Sequence, residues 1–537
     1  MKLSYEGLVD KSIWAEAGIE IPTYNYEEIS EKTKADPAWV HFGIGNIFRH
    51  FIGGIADDLL SQGLTGRGIN CIESFDYDIV DKIYKPHDNL VLSVTMHADG
   101  RQDKKVLASL SEAVKADVND TESNARIKEI FSNPGLQMVS FTITEKGYAL
   151  RGSDGEYLAY VKSDMENGPG KVSGAMGIVT SMLHERFLSG GQPIALVSMD
   201  NVSHNGEKLR EAVLETAKNW NDRGLTDKGF LEYVSDENRV SFPWTMIDKI
   251  TPRPSEEVAR TLSEAGVEDA DILVTSRHTY IAPFVNAEGP QYLVVEDSFP
   301  NGRPPLEKAG VYMTDRETVN KAERMKVTVC LNPIHTALCT FARMLGYEYF
   351  ADAVIESDLN VLARRIGYTE GLPVSEDPGI ISPEAFLDEL MSERFPNKYL
   401  GDTNARIAVD ISQMVGIRFG ENIKAYVAKD GDASALTAIP LAIAGWIRYL
   451  IALDDKGEYM ELSPDPMIPE LQSLMSGIEI GDPGSVGDKL KPLLSNESIF
   501  GSDLYAAGVG DIIEEMVRSM LEGPGAVRAS LKKYLNT

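Results

Sequence analysis

The chain has 537 residues, more than one compact core buries, which predicts two domains. Its composition of 43% hydrophobic and 25% charged residues is that of a folded globular protein. The formal net charge of −30, from 52 basic and 82 acidic side chains, argues against a broad nucleic-acid interface and against binding to an anionic membrane. Three cysteines without a CxxC pair, no signal-peptide pattern and no long apolar run predict a cytoplasmic protein.

The first half of the sequence alternates strand and helix patterns. A β-prone run from Trp39 to Phe42 is followed by two glycines, and apolar residues then recur at helical spacing from Phe48 to Leu59. Further strands of the same sheet are predicted in GINCIESFD, LVLSVTM, LQMVSFTIT and PIALVSMDN, with helical patterns such as ARIKEIF and MGIVTSMLHERFL between them. This alternation predicts an α/β fold with a Rossmann-like, doubly wound parallel sheet in a first domain spanning residues 1–245.

The segment GIGNIFR, residues 43–49, is the first candidate binding site. It lies between a strand and a helix, where backbone N–H groups and two glycines allow a pyrophosphate to approach. Phe48 stands where the G-x-G-x-x-G pattern has its third glycine, so an ordinary tight turn is an alternative interpretation. The candidate cofactor contacts in this segment are Gly43, Gly45, Asn46, Phe48 and Arg49.

Glu73, at the end of the second predicted strand, is the remaining candidate cofactor contact. A carboxylate at that place accepts hydrogen bonds from the adenosine ribose and repels a 2′-phosphate, which predicts NAD rather than NADP. The alternatives are a solvated acid at a strand end, or Asp76 in the same role.

The second half, residues 246–537, is predicted to form a mainly α-helical substrate-binding and catalytic domain. Strand patterns are few there, and helical patterns are separated by Pro, Gly and Asp. Those patterns occur in HTALCTFARMLGY, FADAVIESDLNVLARRIGY, PEAFLDELMSERF, ARIAVDISQMVGIRF and ALTAIPLAIAGWIRYLIAL.

The strip KVTVCLNPIHTALC, residues 326–339, places three polar side chains in an otherwise apolar segment. Asn332 followed by Pro333 predicts a helix start with Asn332 as its N-cap, and Gly346 predicts the end of that helix. His335 falls in the first turn, and Lys326 precedes a β-branched run. Each residue alone has a structural explanation, namely capping, a satisfied core histidine and a surface lysine. Together they predict a site of proton transfer.

Seven blocks of sequence occur in the order found in the mannitol dehydrogenase family of polyol-specific long-chain dehydrogenases, which this chain resembles. They are HFGIGNIFR, TITEKGY, SMDNVSHNGE, SFPWTMIDKITP, VVEDSFPNGRPPLEKAGVYMTD, MKVTVCLNPIHTALCTFARMLGY and ERFPNKYLGDTNARI. The family signature is Lys-x4-Asn-x2-His. Asn332 and His335 keep the second spacing, whereas five residues separate Lys326 from Asn332, so we expect a local insertion of one residue.

The resemblance implies a metal-free hydride transfer. In it, Lys326 is the general acid and base, Asn332 and Asn201 hydrogen-bond the reacting oxygen, and His335 orients the substrate. It also implies substrate contacts from Asp248 and Arg406, and Arg406 and Arg418 are candidate cations for a substrate carboxylate.

The role of Asn205 is open, because it either supports Asn201 or belongs to a turn with Gly206. A zinc site using His204 and His335 is disfavoured, because the sequence contains neither His-x-x-x-His nor a cysteine pair at ligand spacing.

Within the family, the sequence resembles the fructuronate reductases. That resemblance implies reduction of D-fructuronate to D-mannonate with NADH, in hexuronate catabolism, and a cation for the substrate carboxylate, for which Arg253 is a further candidate. The alternatives are a mannitol 2-dehydrogenase, a tagaturonate reductase and a catalytically inactive NAD sensor. The expected partner is a sugar acid or polyol, with no nucleic acid and no membrane, and the oligomeric state stays open.

Overall fold

The computed structural model describes residues 1–536, which divide into two compact units. The first unit comprises residues 1–96 and 101–320, and the second comprises residues 97–100 and the chain from residue 321 onward. The first unit extends beyond residue 245, where the sequence places the domain boundary. The reason is that strands after this residue pair within the unit, including Phe284–Glu288 with Val91–Met96.

All fifteen strands of the described chain lie in the first unit. They are β1 Ile19–Glu20, β2 Trp39–Phe42, β3 Ile69–Glu73, β4 Val91–Met96, β5 Gln102–Leu107, β6 Leu110–Lys115, β7 Met138–Phe141, β8 Ile194–Ser198, β9 Val240–Ser241, β10 Thr245–Asp248, β11 Leu273–Val274, β12 Tyr280–Ile281, β13 Phe284–Glu288, β14 Tyr292–Glu296 and β15 Tyr312–Thr314.

A six-stranded, fully parallel sheet forms the centre of the first unit, with the strand order β6-β3-β2-β7-β8-β9. The chain runs outward in one direction from β2 through β3 to β6, then returns to β7 on the other side of β2. This reversal is the topological switch point of a doubly wound sheet, and ligands bind outside the carboxyl ends of the strands at such a point. Every residue of β2, β3, β7 and β8 is buried, as expected for a sheet covered on both faces.

Three smaller sheets complete the unit, with the orders β1-β5-β4-β13, β10-β14-β15 and β11-β12. The predicted strand LVLSVTM exists as β4, but its assignment to the parallel sheet was wrong. It pairs antiparallel with β5 through a short Asp-Gly loop, a hairpin signal that the alternating pattern does not contain. The six strands β10 to β15 were likewise missed, and three of them have only two or three residues.

The helices outnumber the strands. They are α1 Lys11–Glu16, α2 Tyr26–Ala35, α3 Gly53–Ser61, α4 Thr121–Ser132, α5 Thr144–Tyr148, α6 Ala159–Asn167, α7 Ala175–Leu188, α8 Asn205–Asp222, α9 Lys228–Ser235, α10 Glu256–Glu264, α11 Arg316–Arg324, α12 Asn332–Leu345, α13 Phe350–Ile355, α14 Ser357–Arg364, α15 Pro383–Glu389, α16 Asn404–Ile407, α17 Glu421–Asp430, α18 Ala438–Tyr449, α19 Ile468–Leu474, α20 Lys491–Leu494, α21 Glu497–Phe500, α22 Gly510–Met520 and α23 Ala526–Leu535. In the second unit, α12 to α16 and α18 lie in the predicted helical segments, whereas α17 and α19 to α23 were not predicted.

Six π-helical turns interrupt or extend these helices, at Phe48–Ile52, Val80–Tyr84, Met325–Cys330, Arg365–Gly371, Leu390–Arg394 and Gly416–Gly420. Short 3₁₀ turns occur at Glu6–Leu8, Lys85–His87, Leu306–Ala309, Leu372–Val374, Lys398–Leu400, Ile411–Gln413 and Pro483–Val486. π turns are rare and concentrate at functional sites, so the turn that contains Lys326 is of particular interest.

The core of the second unit is built around α12 and α18, which pack against each other. Every residue of α18 is buried, and α12 buries the apolar face predicted for it, including Ile334, Leu338 and Phe341. The helix α12 ends at Gly346 in the left-handed conformation, as predicted. None of the helices in residues 1–536 has the length and apolar character needed to span a bilayer.

Candidate active site

The turn after β2 contains two glycines with different structural roles. Gly43 has φ = +86°, and a Cβ atom there would lie 2.2 Å from the carbonyl oxygen of Thr142, which follows β7. Gly43 is therefore required by the close approach of two loops at the switch point. A Cβ on Gly45 would meet no atom within 4 Å, so the missing side chain of Gly45 leaves open space beside the turn.

The residues after this turn are mostly buried beneath it. Phe48 is fully buried and stacks on His41 with 4.0 Å between ring centroids. The buried guanidinium of Arg49 donates from Nη2 to the Pro283 carbonyl at 3.0 Å, and burial lowers the pKa of Arg49 to about 10. The buried Oδ1 atom of Asn46 makes no hydrogen bond.

Glu73 connects the glycine turn to the loop after β3. Its buried carboxylate accepts the backbone N–H of Ile44 at 3.2 Å, that of Phe75 at 2.8 Å and that of Asp76 at 3.1 Å. Burial raises the pKa of Glu73, and the three backbone hydrogen bonds oppose that rise. The carboxylate therefore holds the turn and the strand end in a fixed relation, a role that the sequence pattern did not predict.

These residues fit a dinucleotide on structural grounds. The open space at Gly45 lets a pyrophosphate approach the backbone, and the unpaired Asn46 oxygen is an acceptor for a ligand hydroxyl. Arg49 and Phe48 are fully buried, so they support the turn rather than line its open side.

Asn201 lies in the exposed turn after β8, and its neighbours Asp200, which was not predicted, and Asn205 fix that turn. Asp200 accepts the backbone N–H groups of Ile143 and Thr144, both at 2.9 Å, so it joins the loops after β7 and β8. Asn205 donates to the Asp200 carbonyl at 3.0 Å and exchanges hydrogen bonds with Thr245. Asn205 therefore links the residue before Asn201 to β10, and its place in the SMDNVSHNGE block was the only signal in the sequence.

Asp248 is positioned by the strand that Asn205 holds. It is the buried last residue of β10, and Tyr292 of β14 is its Cα partner in the antiparallel pair. Since Thr245 begins the same strand, Asn205 connects the Asn201 turn to the strand that ends in Asp248.

In the second unit, Lys326 lies in the π turn between α11 and α12. The N–H of Leu331 donates to the carbonyl of Lys326 at 3.0 Å, five residues back, where an α-helix would use the fourth. A π turn holds one residue more than an α turn, which accommodates the extra residue between Lys326 and Asn332. The β-branched run is helical here, and the Lys326 side chain is only 1% exposed.

The prediction that Asn332 caps a helix was wrong. Leu331 occupies the cap position in helical conformation, Asn332 is already the first residue of α12, and Pro333 follows within the first turn. The helix continues from the π turn, so it has no free N-terminus for a side chain to cap. The carboxamide of Asn332, which is partly exposed, makes no hydrogen bond with any of residues 1–536.

His335 lies one turn into α12 at the edge of an aromatic cluster. Its ring is 4.6 Å from the ring of Phe350 and 5.0 Å from that of Phe395, measured between centroids. Arg394, Asn397 and other residues line a small cavity beside it. The two phenylalanines fix the plane of the imidazole.

The predicted arginines differ in their surroundings. The Arg406 side chain is 68% exposed and is paired with Asp402, and Arg253 is exposed against the ring of Tyr280. Arg418 is mostly buried and donates from Nη1 to Thr336 Oγ1 at 2.6 Å. No carboxylate in residues 1–536 forms an ion pair with Arg418, its Nε makes no hydrogen bond, and burial lowers its pKa.

Residues 1–536 contain no group of three or more His, Cys, Asp or Glu side chains that could hold a metal ion.

Comparison with known proteins identifies the family. Residues 37–308 match the model of the mannitol dehydrogenase Rossmann domain, and residues 318–521 match that of the mannitol dehydrogenase C-terminal domain. The chain belongs to the mannitol dehydrogenase family. This confirms the resemblance carried by the seven sequence blocks, and it confirms the fold class of a Rossmann-like sheet followed by a helical region.

Individual relatives of the mannitol dehydrogenase family cover nearly the whole chain. The chain is 50% identical to the D-mannonate oxidoreductase of Thermotoga maritima over 100% of this chain and 99% of that one. It is 30% identical to a polyol:NADP oxidoreductase of Gluconobacter oxydans over 86% and 88% of the two chains. A solved structure of D-sorbitol dehydrogenase in substrate-free form has a TM-score of 0.79, 27% identity, and coverage of 96% and 98%.

Proposed function

We propose that this protein is an NAD-dependent oxidoreductase that reduces D-fructuronate to D-mannonate, with Lys326 as the proton donor. The observation that carries the proposal is the 50% identity, over the full length, to a D-mannonate oxidoreductase. The overall reaction consumes D-fructuronate, NADH and one proton and yields D-mannonate and NAD⁺.

The proposed cofactor site is the turn after β2 together with the end of β3. Backbone groups at Gly43 and Gly45 would hold the pyrophosphate, and the acidic loop from Glu73 onward disfavours a 2′-phosphate. This loop supports NAD over the NADP named for the Gluconobacter relative. When bound, a reduced nicotinamide supplies a hydride to the carbonyl carbon of the substrate.

The remaining chemistry falls to side chains. The substrate oxygen gains negative charge as the ketone is reduced, so the carboxamides of Asn332 and Asn201 would donate hydrogen bonds to it. The Lys326 ammonium would transfer a proton to the same oxygen, and His335 would orient a neighbouring hydroxyl. Asp248 would accept a hydrogen bond from the sugar.

The deciding experiment is an assay of NADH oxidation with D-fructuronate, D-tagaturonate, D-fructose and other ketoses, run with NADH and NADPH and with a chelator. D-fructuronate with NADH should give the highest kcat/KM, and the chelator should have no effect. A preference for fructose would instead identify a mannitol 2-dehydrogenase, whereas binding of NADH without turnover of any substrate would identify a sensor.

The two glycines of the turn allow a test of the cofactor site. Gly45→Ala should raise the Kd for NADH about tenfold while leaving the melting temperature unchanged, because the added methyl group meets only open space. Gly43→Ala is the matched variant: it should lower the melting temperature, since its Cβ would collide with the Thr142 carbonyl. Unchanged NADH affinity in a folded Gly45→Ala protein would argue against this site.

Arg418 is the arginine that best fits a substrate carboxylate, because it has no acidic partner and hydrogen-bonds one turn after Asn332, at Thr336. Arg418→Met should lower kcat/KM for D-fructuronate by roughly 30-fold or more, about 2 kcal/mol or more for a charge-assisted pair, and change that for D-fructose much less. Arg406→Met serves as the control, since Arg406 is exposed and already paired. Equal losses on both substrates would contradict carboxylate recognition.

A further inference from the structure

The loop after β3 leaves a large aromatic side chain in solvent. Phe75 is 64% exposed, and its backbone N–H donates to Glu73 Oε1 at 2.8 Å. An exposed phenylalanine that is fixed at the carboxyl end of a central parallel strand is unusual, because apolar rings are normally buried. In this strand order, that end of the sheet lies beside the switch point at which ligands bind.

A distant hairpin, formed by β11 and β12, is tied to the same loop. Thr275 Oγ1 donates to Asp76 Oδ2 at 2.6 Å, and the N–H of Ser276 donates to Asp78 Oδ2 at 2.8 Å. These bonds join segments 199 and 198 residues apart in the chain. The hairpin turn is therefore held against the loop after β3 by two acids within three residues of Phe75.

This anchoring places Arg277 against Phe75. The guanidinium carbon of Arg277 lies 5.3 Å from the centroid of the Phe75 ring. Arg277 is exposed and forms no ion pair with any carboxylate of residues 1–536, so its charge is not committed to an acid. The result is an exposed surface made of one aromatic ring and one planar cation, here called the Phe75–Arg277 platform.

We propose that the Phe75–Arg277 platform binds the adenine ring of the dinucleotide by stacking, an inference that rests on the proposed function. Nucleobases stack on aromatic rings and on guanidinium planes without needing a specific hydrogen-bond pattern. The Glu73 carboxylate accepts the N–H of Ile44 in the glycine turn and the N–H of Phe75. It therefore fixes the glycine turn relative to the platform.

Charge on the platform loop agrees with this assignment. Glu73, Asp76 and Asp78 give this loop three carboxylates, whose negative charge disfavours a phosphate on the adenosine ribose. Both Asp76 and Asp78 also hold the hairpin, so these acids fix Arg277 in place beside Phe75.

The test compares a ligand that has adenine with one that lacks it. The Kd values of NADH and of reduced nicotinamide mononucleotide are measured by fluorescence titration of the full chain and of its Phe75→Ala and Arg277→Ala variants. Each variant should weaken NADH about tenfold and leave the mononucleotide within twofold of wild type. Phe75→Tyr should keep the NADH affinity, because tyrosine also stacks.

A matched control is the Arg151–Tyr157 pair, which has a similar arginine over an aromatic ring elsewhere in the first unit. Tyr157→Ala should change neither Kd. Unchanged NADH affinity in folded Phe75→Ala and Arg277→Ala proteins would overturn the adenine-stacking proposal but not the proposed function. An equal loss of affinity for NADH and for the mononucleotide would have the same meaning. A wild-type protein that binds neither ligand would overturn the proposed function itself.

Discussion

Replacing Lys326 with methionine should lower kcat/KM for the sugar substrate by about 10² to 10⁴-fold, the range typical of a lost general acid. Methionine keeps most of the length of the lysine side chain and its unbranched shape without the charge. Because this side chain is almost fully buried in the π turn, the fold should survive the change. Dissociation of NADH should change little, since the proposed cofactor site lies on other residues. The measurement is the pH profile of kcat/KM, from which the ionisation of the essential acid should disappear.

The Lys326 experiment has a chemical control as well as a matched variant. In Lys326→Ala, an added primary amine such as methylamine should restore part of the rate in proportion to its protonated form. Lys424→Met, at an exposed lysine paired with Glu421 in the same unit, should behave as wild type. A Lys326→Met enzyme with normal kcat/KM would remove the proton donor from the proposed mechanism.

The parts of the fold that were predictable from sequence are those fixed by local patterns. The β2 strand, the glycine turn and the helix after it follow from β propensity, two glycines and apolar spacing, and all are present. Which strand pairs with which is not a local property, so β4 was assigned to the wrong sheet. The two-residue strands β11 and β12 carry no periodicity at all, although their hairpin places Arg277.

The sequence suggests the residue types of the candidate site, whose roles stay predictions, but not its geometry. The π turn that carries Lys326 depends on a choice between hydrogen bonds four and five residues back, which composition does not encode. Asn332 before Pro333 reads as a helix cap, yet the preceding turn remains helical and removes the need for one. Buried connectors such as Asp200 act through tertiary contacts, which sequence spacing alone does not reveal.

Replacing Asn332 is the second change expected to lower activity strongly, because its carboxamide is available to a ligand. It begins α12, is partly exposed and makes no hydrogen bond within residues 1–536. Asn332→Ala should therefore lower kcat by about 10²- to 10³-fold, as expected for one lost donor to a developing oxyanion. Because no protein contact is broken, the melting temperature should stay close to that of wild type.

Two variants separate this catalytic effect from a structural one. Asn332→Asp has the same shape but no N–H donor, and its negative charge opposes charge on the substrate oxygen, so it should be at least as slow as Asn332→Ala. Asn422 is the matched asparagine: it is buried and donates to the carbonyls of Thr328 in the Lys326 turn and of Arg418. Asn422→Ala should lower the melting temperature, because it removes both of these hydrogen bonds of a buried side chain. If Asn332→Ala instead lost stability and kept its kcat, the carboxamide would be a structural group and the oxygen would need another donor.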